Sequence, residues 1–356
     1  MAWQGVEGHD HVASRFIVAA ERGRIAGSYL FVGPPGVGKD TFARSLAKSL
    51  LCLDHGNPSR PPLTACGNCA SCVQAEAGTH PDIDLVAKPE DRATIPLEAF
   101  IGDAAHRMRD GLCWRLLLRP ALGGRKIAII RDADHLSDEA ANCLLKTLEE
   151  PPPGAVIVLV GTALERQLPT IRSRCQIVRF RPLPDEVVAR ILAAEIRGTG
   201  GQVDAARMQA CAVAAEGSLQ RGRLLLDPAL GDFRSRLTAV LGERPIRGVD
   251  LAKETIALVE AAGKEAPPRR ARLRIVLESA VEFFRAALRR DALGEAPTEP
   301  ALARAVAAWG GRSEDLVTAL DCTLDALQAV ERNANLTVLV DAWTAVVEEP
   351  RLAQTT

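Results

Sequence analysis

Aromatic side chains are scarce in this 356-residue chain. They make up 4% of it, with a single tyrosine, although apolar residues make up 47%. The core must therefore come largely from Ala, Leu and Val, which disfavours an all-β sandwich and points to a mainly helical or α/β protein. A charge excess of one sign is missing too. The formal net charge is −1, so there is no global attraction to nucleic acid, and any such contact needs a local patch or an assembled surface. No window approaches an uncharged run of about 18 residues, so no membrane span is expected. The first residues carry His9, Asp10, Glu21 and several arginines in place of the apolar centre of a secretory leader, and a cytoplasmic protein is expected. Nine cysteines then imply a reducing compartment, where clustered thiols bind metal more often than they form disulfides. The length suggests two or three domains.

What is present centres on Ser28–Leu51, SYLFVGPPGVGKDTFARSLAKSLL. The apolar run Tyr29–Val32 breaks into a Gly/Pro turn, and Lys39 opens a segment with Phe42, Leu46 and Leu50 at helical spacing. That is strand, phosphate loop, helix. Backbone N–H groups at Gly33, Gly36 and Gly38 can converge on phosphate oxygens, flanked by Pro34 and Val37. The helix N-terminus adds partial positive charge and Lys39 a full one. The last position of this Walker A frame needs a Ser or Thr hydroxyl for Mg²⁺, and here it is Asp40. A carboxylate beside the β- and γ-phosphates is expected to repel and misalign a magnesium nucleotide. Thr41 is the nearest hydroxyl, one position late.

Downstream, Ile127–Ile130 reads as a strand covered on both faces, ending near Asp132, where an aspartate would hold the water shell of Mg²⁺. The neighbour that would polarise an attacking water is Ala133. Asp134 is expected on the other side of an extended backbone. A second buried strand, Val156–Val160, ends at Gly161 and Thr162, where Thr162 can sense a γ-phosphate. The site can thus bind ATP or ADP, with Mg²⁺ coordination disfavoured.

Between the loop helix and the strand at Ile83–Val86 lies a polar insert, about 52–80. Its CGNCASC segment spaces Cys66, Cys69 and Cys72 by two residues, with Cys52 upstream as a fourth thiolate. This is a set suited to tetrahedral Zn²⁺ in a structural role. His55 and His80 are alternative outlying ligands. Small buried hydrophobes are the other reading of these thiols, but three within seven residues of a Gly/Asn loop argue against it. A DNA-binding ribbon is the weaker use, because the insert lacks aromatic and basic decoration.

The periodicity predicts a short entry loop and an amphipathic helix within residues 1–27 (Val12, Phe16, Ile17 and Ala20 on one face), a helix around Ile95–Arg109, and one from a Ser137 cap through Ala140, Cys143, Leu144 and Leu148 to Pro151. LPTIRSRC, Leu168–Cys175, places Arg172 and Arg174 before a strand at Ile177–Phe180. Pro182 and Pro184 mark a hinge, after which only helices are expected, with PPRRARLR (Pro267–Arg274) as a solvated helix start. The predicted division is a parallel α/β core (1–181), a small helical unit (182–231) and a second helical domain (232–356).

GPPGVGKD, the cysteine insert, NCLLKTLEEPP (Asn142–Pro152) and LPTIRSRC together resemble the bacterial clamp-loader branch of the AAA+ ATPases, over roughly the first 230 residues. ERNANLTVLV is similar to the last helix of that family's collar. The resemblance implies an AAA+ P-loop domain with a zinc insert, a small helical lid and a C-terminal collar. It also implies a hetero-pentamer with gamma/tau and delta subunits, acting on a sliding clamp and primed DNA within the replisome at the nucleoid. The family's motor subunits, gamma and tau, keep the hydroxyl, an Asp-Glu pair and the SRC arginine. Its delta prime type keeps SRC with degraded nucleotide motifs, and Asp40, Ala133 and Ser173-Arg174-Cys175 resemble that type. Arg174 is then implied to be an arginine finger acting in trans on a neighbour's γ-phosphate, an ordinary ion pair being the alternative. The second sensor arginine falls at Gln220, with Arg221 beside it. The competing reading is a gamma/tau-like ATPase that uses Thr41 and Asp134 as displaced substitutes.

Overall fold

Five apolar segments build one sheet in a computed structural model that describes residues 3–352 apart from 55, 56, 58, 90, 91, 93, 104, 108, 123, 199, 244, 245, 298 and 299. The strands are β1 (Ser28–Val32), β2 (Ile83–Val86), β3 (Lys126–Ile130), β4 (Ala155–Val160) and β5 (Gln176–Arg179). They run parallel in the order β2-β3-β4-β1-β5. After an opening helix, α1 (Asp10–Glu21), the crossovers that parallel pairing requires are made with α2 (Lys39–Leu51), α3 (Ala70–Ala77), α4 (Glu98–Ile101), α5 (Leu112–Leu117), α6 (Asp138–Glu149) and α7 (Pro169–Arg172). Three further helices follow the sheet: α8 (Asp185–Gly198), α9 (Ala205–Ala214) and α10 (Leu219–Leu225).

Alternation along each strand makes two cores. Tyr29, Phe31, Ile127, Ile129, Val156 and Val158 face Phe16 of α1 and Phe42 and Leu46 of α2. Leu30, Val32, Ala128, Ile130, Ile157 and Leu159 face Leu144 and Leu148 of α6 and Leu112 of α5. Each such side chain taken from water contributes about 1.5–3 kcal/mol, which is why the three central strands are apolar at almost every position. The edge strands β2 and β5 carry exposed residues instead. Because β1 lies between β4 and β5, the loop that follows it opens at the carboxyl edge beside the ends of β3 and β4, where open α/β sheets bind ligands.

Two expectations change. The helix expected over Ile95–Arg109 is a single turn, α4. It stops at Gly102, and the chain doubles back until Gly111 lies against Phe100–Gly102. A Cβ on Gly111 would sit 2.5 Å from backbone atoms of Phe100 and Gly102, so the contact requires glycine. The apolar spacing that suggested one helix is divided among Ile95 (bridged to Leu136), the turn of α4 and the loop after it. The polar insert, for which no helix was expected, contains α3, whose first turn is capped by the Cys69 thiol accepting from the Cys72 N–H.

The chain divides into two compact units, Met1–Gly222 and Arg223–Thr356, a boundary that falls inside the span 182–231 expected as a small helical lid. The second unit contains α11 (Pro228–Gly242), α12 (Gly248–Glu260), α13 (Ala266–Leu293), α14 (Pro300–Ala308), α15 (Ser313–Glu331) and α16 (Leu336–Leu352), and its described residues form no strand. They enclose Phe233, Leu237, Phe283, Phe284 and Trp343. The Trp343 indole N–H donates to Thr323 Oγ1 at 3.0 Å, so this buried polar pair is satisfied. No helix among the described residues is long and apolar enough to cross a membrane.

Candidate functional site

The phosphate loop is pinned at both ends. Gly33 N–H donates to Thr162 O at 3.1 Å, fastening the loop to the end of β4, and Gly36 O accepts from Leu219 N–H at 3.0 Å, fastening it to the first turn of α10. Gly36 has φ of 75°, and a Cβ there would lie 2.3 Å from Ser218 Oγ and 2.8 Å from Gln220 Cβ. The approach of α10 therefore depends on that glycine. Lys39 is 6% exposed and donates from Nζ to Gly33 O and Pro34 O, each at 2.6 Å. Burial pulls its pKa down to about 8, opposed by the Asp134 carboxylate. His9, 2% exposed, sets Nε2 at 2.7 Å from Val37 O and packs edge-on against Phe180. A carbonyl only accepts, so Nε2 carries the hydrogen; Nδ1 has no partner among the described residues.

At the last loop position the structure departs from expectation. Asp40 is not a bare negative charge. Arg131 donates to it from Nε and Nη2 at 2.6 Å each, a fork-on-fork pair, and Arg44 Nε adds a third bond at 3.0 Å. Burial pushes the Asp40 pKa up, but the two arginines outweigh it and hold it below the ordinary carboxylate value. Arg131 directly follows β3, and its N–H still donates to Val86 O. The side chain that β3 delivers to the loop is thus a guanidinium.

Asp132, expected to serve Mg²⁺, lies one residue too late. Its φ of 51° turns it outward, where it is exposed and Oδ2 accepts from Lys88 N–H at 3.4 Å. A 3-10 turn, Ala133–His135, then replaces the extended backbone assumed for this stretch and swings Asp134 back toward the loop. There Oδ2 accepts from Thr162 N–H at 2.7 Å and Oδ1 from Gln167 Nε2. Both oxygens thus hold the β4 end, tying the carboxylate to a structural task. Thr41 is exposed. Arg221 lies in the helix that covers the loop, with its N–H on Ser218 Oγ and its guanidinium 3.9 Å from Glu216. Magnesium does not fit this donor set: no loop hydroxyl faces the phosphates, and both Asp40 oxygens are engaged by arginine.

Arg174 lies two residues beyond α7. Its Nε donates to Glu149 Oε2 at 2.9 Å, and Nη1 to Thr170 O and Ser173 Oγ at 3.1 and 3.3 Å. None of these partners belongs to its own phosphate loop. The Cys175 thiol beside it is pushed up to about 12 by burial, so it is an inert packing group.

The insert gathers Cys52, Cys66, Cys69 and Cys72 with all four sulfurs within 4.8 Å of one another. A tetrahedral site with Zn–S bonds near 2.3 Å asks for about 3.8 Å between sulfurs, and Cys66 and Cys72 already stand at 3.9 Å. Main-chain N–H groups of Cys66, Cys69 and Cys72 point at the sulfurs of Cys52, Cys66 and Cys69. Amide donors of Asn68 and Cys69 pull Cys66 down to about 6, while burial pushes Cys72 up to about 12. The donor set fits a soft divalent cation. His80 is not a ligand: Nε2 lies 3.0 Å from Ser71 Oγ and Nδ1 accepts from Asp82 N–H. His55 lies outside the described residues.

Residues 8–184 match the family model described as DNA polymerase III, delta subunit. Through this domain the chain belongs to the DNA polymerase III clamp-loader family. It is 39% identical over 164 residues to the Pseudomonas aeruginosa subunit delta', across 46% of this chain and 45% of that one. It is 32% identical over 183 residues to the Escherichia coli subunit delta', across 51% and 50%. It is also 31% identical over 264 residues to the Mycobacterium tuberculosis subunit gamma/tau, across 72% and 43%. The chain spans half or less of these relatives' length.

Sequence reasoning missed four residues at the two sites. Arg131 and Gln167 were hidden by the assumption of an extended backbone after β3. Glu149 belongs to TLEEPP and Arg174 to SRC, so their pairing was open to inference from two motifs already recognised. His9 carried no signal, being a lone polar residue ahead of α1.

Proposed function

We propose that this chain is a delta prime-type, non-motor subunit of the DNA polymerase III clamp loader, completing a neighbouring gamma/tau ATP site through Arg174. The observation that carries this reading is an asymmetry between two arginines. Arg131 is spent inside the chain's own loop on Asp40, where hydrolysis would need Mg²⁺. Arg174 is held from its side chain by a carboxylate that is 60% exposed, and touches nothing in its own loop. A planar, permanently charged fork on a loose tether suits donation to a partner's γ-phosphate.

Assembly would run through the helical unit, with gamma/tau and delta as partners, and the complex would load the sliding clamp on primed DNA. Zn²⁺ held by Cys52, Cys66, Cys69 and Cys72 would brace the insert. The gamma/tau-like alternative loses support because Thr41 is exposed and both Asp134 oxygens are engaged. The test is ATP turnover by the chain alone and in an assembly with gamma/tau and delta, using wild type and Arg174→Ala. No turnover alone and loss of the assembly's turnover in the variant support the proposal. Magnesium-dependent turnover by the isolated chain, abolished by Lys39→Ala, overturns it.

A further inference from the structure

Two positions that serve magnesium in a phosphate-loop site have changed chemistry together. The last loop position supplies a hydroxyl and the end of the neighbouring strand a carboxylate, both toward the cation. In this chain the first is the carboxylate of Asp40 and the second the guanidinium of Arg131, joined by two bonds of 2.6 Å. Either change alone would leave an unpaired charge beside the loop. Made together, they neutralise each other, and each side chain keeps 34% exposure, so the pair borders the space in front of the loop.

Side-chain charge around that space is balanced, with Lys39, Arg44 and Arg131 against Asp40, Asp132 and Asp134. The backbone N–H groups of the loop and the N-terminus of α2 then favour a phosphate group over a dication. At the last loop position both carboxylate oxygens already accept from arginine, and Asp132 is turned outward and exposed. Arg131 grips Asp40 through Nε and Nη2, so Nη1 lies outside the fork. Its charge is permanent over the working pH range.

We propose that this loop binds the polyphosphate chain of a nucleotide as a metal-free anion, with Arg131, anchored by Asp40, supplying the charge that Mg²⁺ supplies elsewhere. The loop amides and Lys39 provide the remaining contacts. Because Arg174 takes no part, this proposal and the trans-acting role can each fail alone.

The experiment is calorimetric titration of the full chain with ADP and with ATPγS, in EDTA and in excess Mg²⁺, with tripolyphosphate in parallel. Affinity in EDTA equal to or tighter than in Mg²⁺ is expected. Arg131→Ala should weaken it about tenfold or more, the worth of a charged hydrogen bond, with Arg131→Lys in between. Circular dichroism melts confirm that the variants are folded. Asp40→Thr combined with Arg131→Asp should make binding tighten about tenfold with Mg²⁺. Equal affinity for tripolyphosphate supports the anion site and assigns recognition to the phosphates alone. Wild-type binding that requires Mg²⁺, or no binding of either nucleotide in EDTA, overturns the proposal.

Discussion

Two arginine–carboxylate pairs in the first unit look alike in length and differ in consequence. Arg131 and Asp40 join the end of β3 to the start of α2 through two bonds, reinforced by Arg44. Arg174 and Glu149 join the turn after α7 to the end of α6 through one bond, to a glutamate that is 60% exposed. The first couples two elements of the sheet layer and resists exchange. The second is a surface pair, of a kind that contributes about 0–1 kcal/mol and is readily traded for a stronger anion. One arginine is built in; the other is lent.

The sharpest break of this comparison is Arg174→Ala in the assembled complex. Partner turnover should fall by about three orders of magnitude, the scale of an arginine finger, while the chain's own melting temperature barely moves. Steady-state ATPase and a thermal melt on the same preparation check both halves. Next in size is the cysteine centre. Metal analysis should find one zinc per chain. Cys69→Ser or a strong chelator should cost several kcal/mol of local stability and melt α3, read by hydrogen exchange over 66–77; unchanged protection would remove the metal from the account.

Arg131→Ala comes third, at about 1–3 kcal/mol, because it leaves Asp40 half-buried with only Arg44. This loss carries a pH signature. The Asp40 pKa is lower folded than unfolded, so the pair's contribution is present above the ordinary carboxylate pKa and is lost as pH falls through the lowered folded value. Wild type and variant should therefore converge in melting temperature under acid and separate toward neutrality. Constant separation at all pH values would show that the variant acts by another route. The smallest effect belongs to Glu149→Ala, expected within about 1 kcal/mol. It should leave partner turnover equal or slightly higher, since it frees Arg174. A large drop would mean that Glu149 aims the finger rather than merely parking it.

Much of this was readable from residue order. Continuous apolar runs at 29–32, 127–130 and 156–160, short and bounded by turn residues, read as strands buried on both faces, and the glycine spacing before Lys39 reads as a phosphate loop. The C-x₂-C spacing also brought three thiols of the cysteine cluster together locally, without reference to the rest of the fold. Failures came where one backbone dihedral or one distant contact decides. The left-handed turn at Asp132 moves Arg131 into the place assigned to an aspartate and rotates Asp134 back to the loop. The packing of Gly111 on Gly102 breaks a helix that periodicity would have continued.

By itself, then, the sequence determined the order of elements, the loop and the cysteine set, because hydrophobic period, glycine freedom and ligand spacing are properties of neighbours along the chain. Only the tertiary structure decided that Asp40 meets Arg131, 91 residues away, and that Asp134 turns back to Thr162 and Gln167. Pairings across a sheet are set by strand order and by single turns at the strand ends, and neither leaves a periodic trace in the residues themselves.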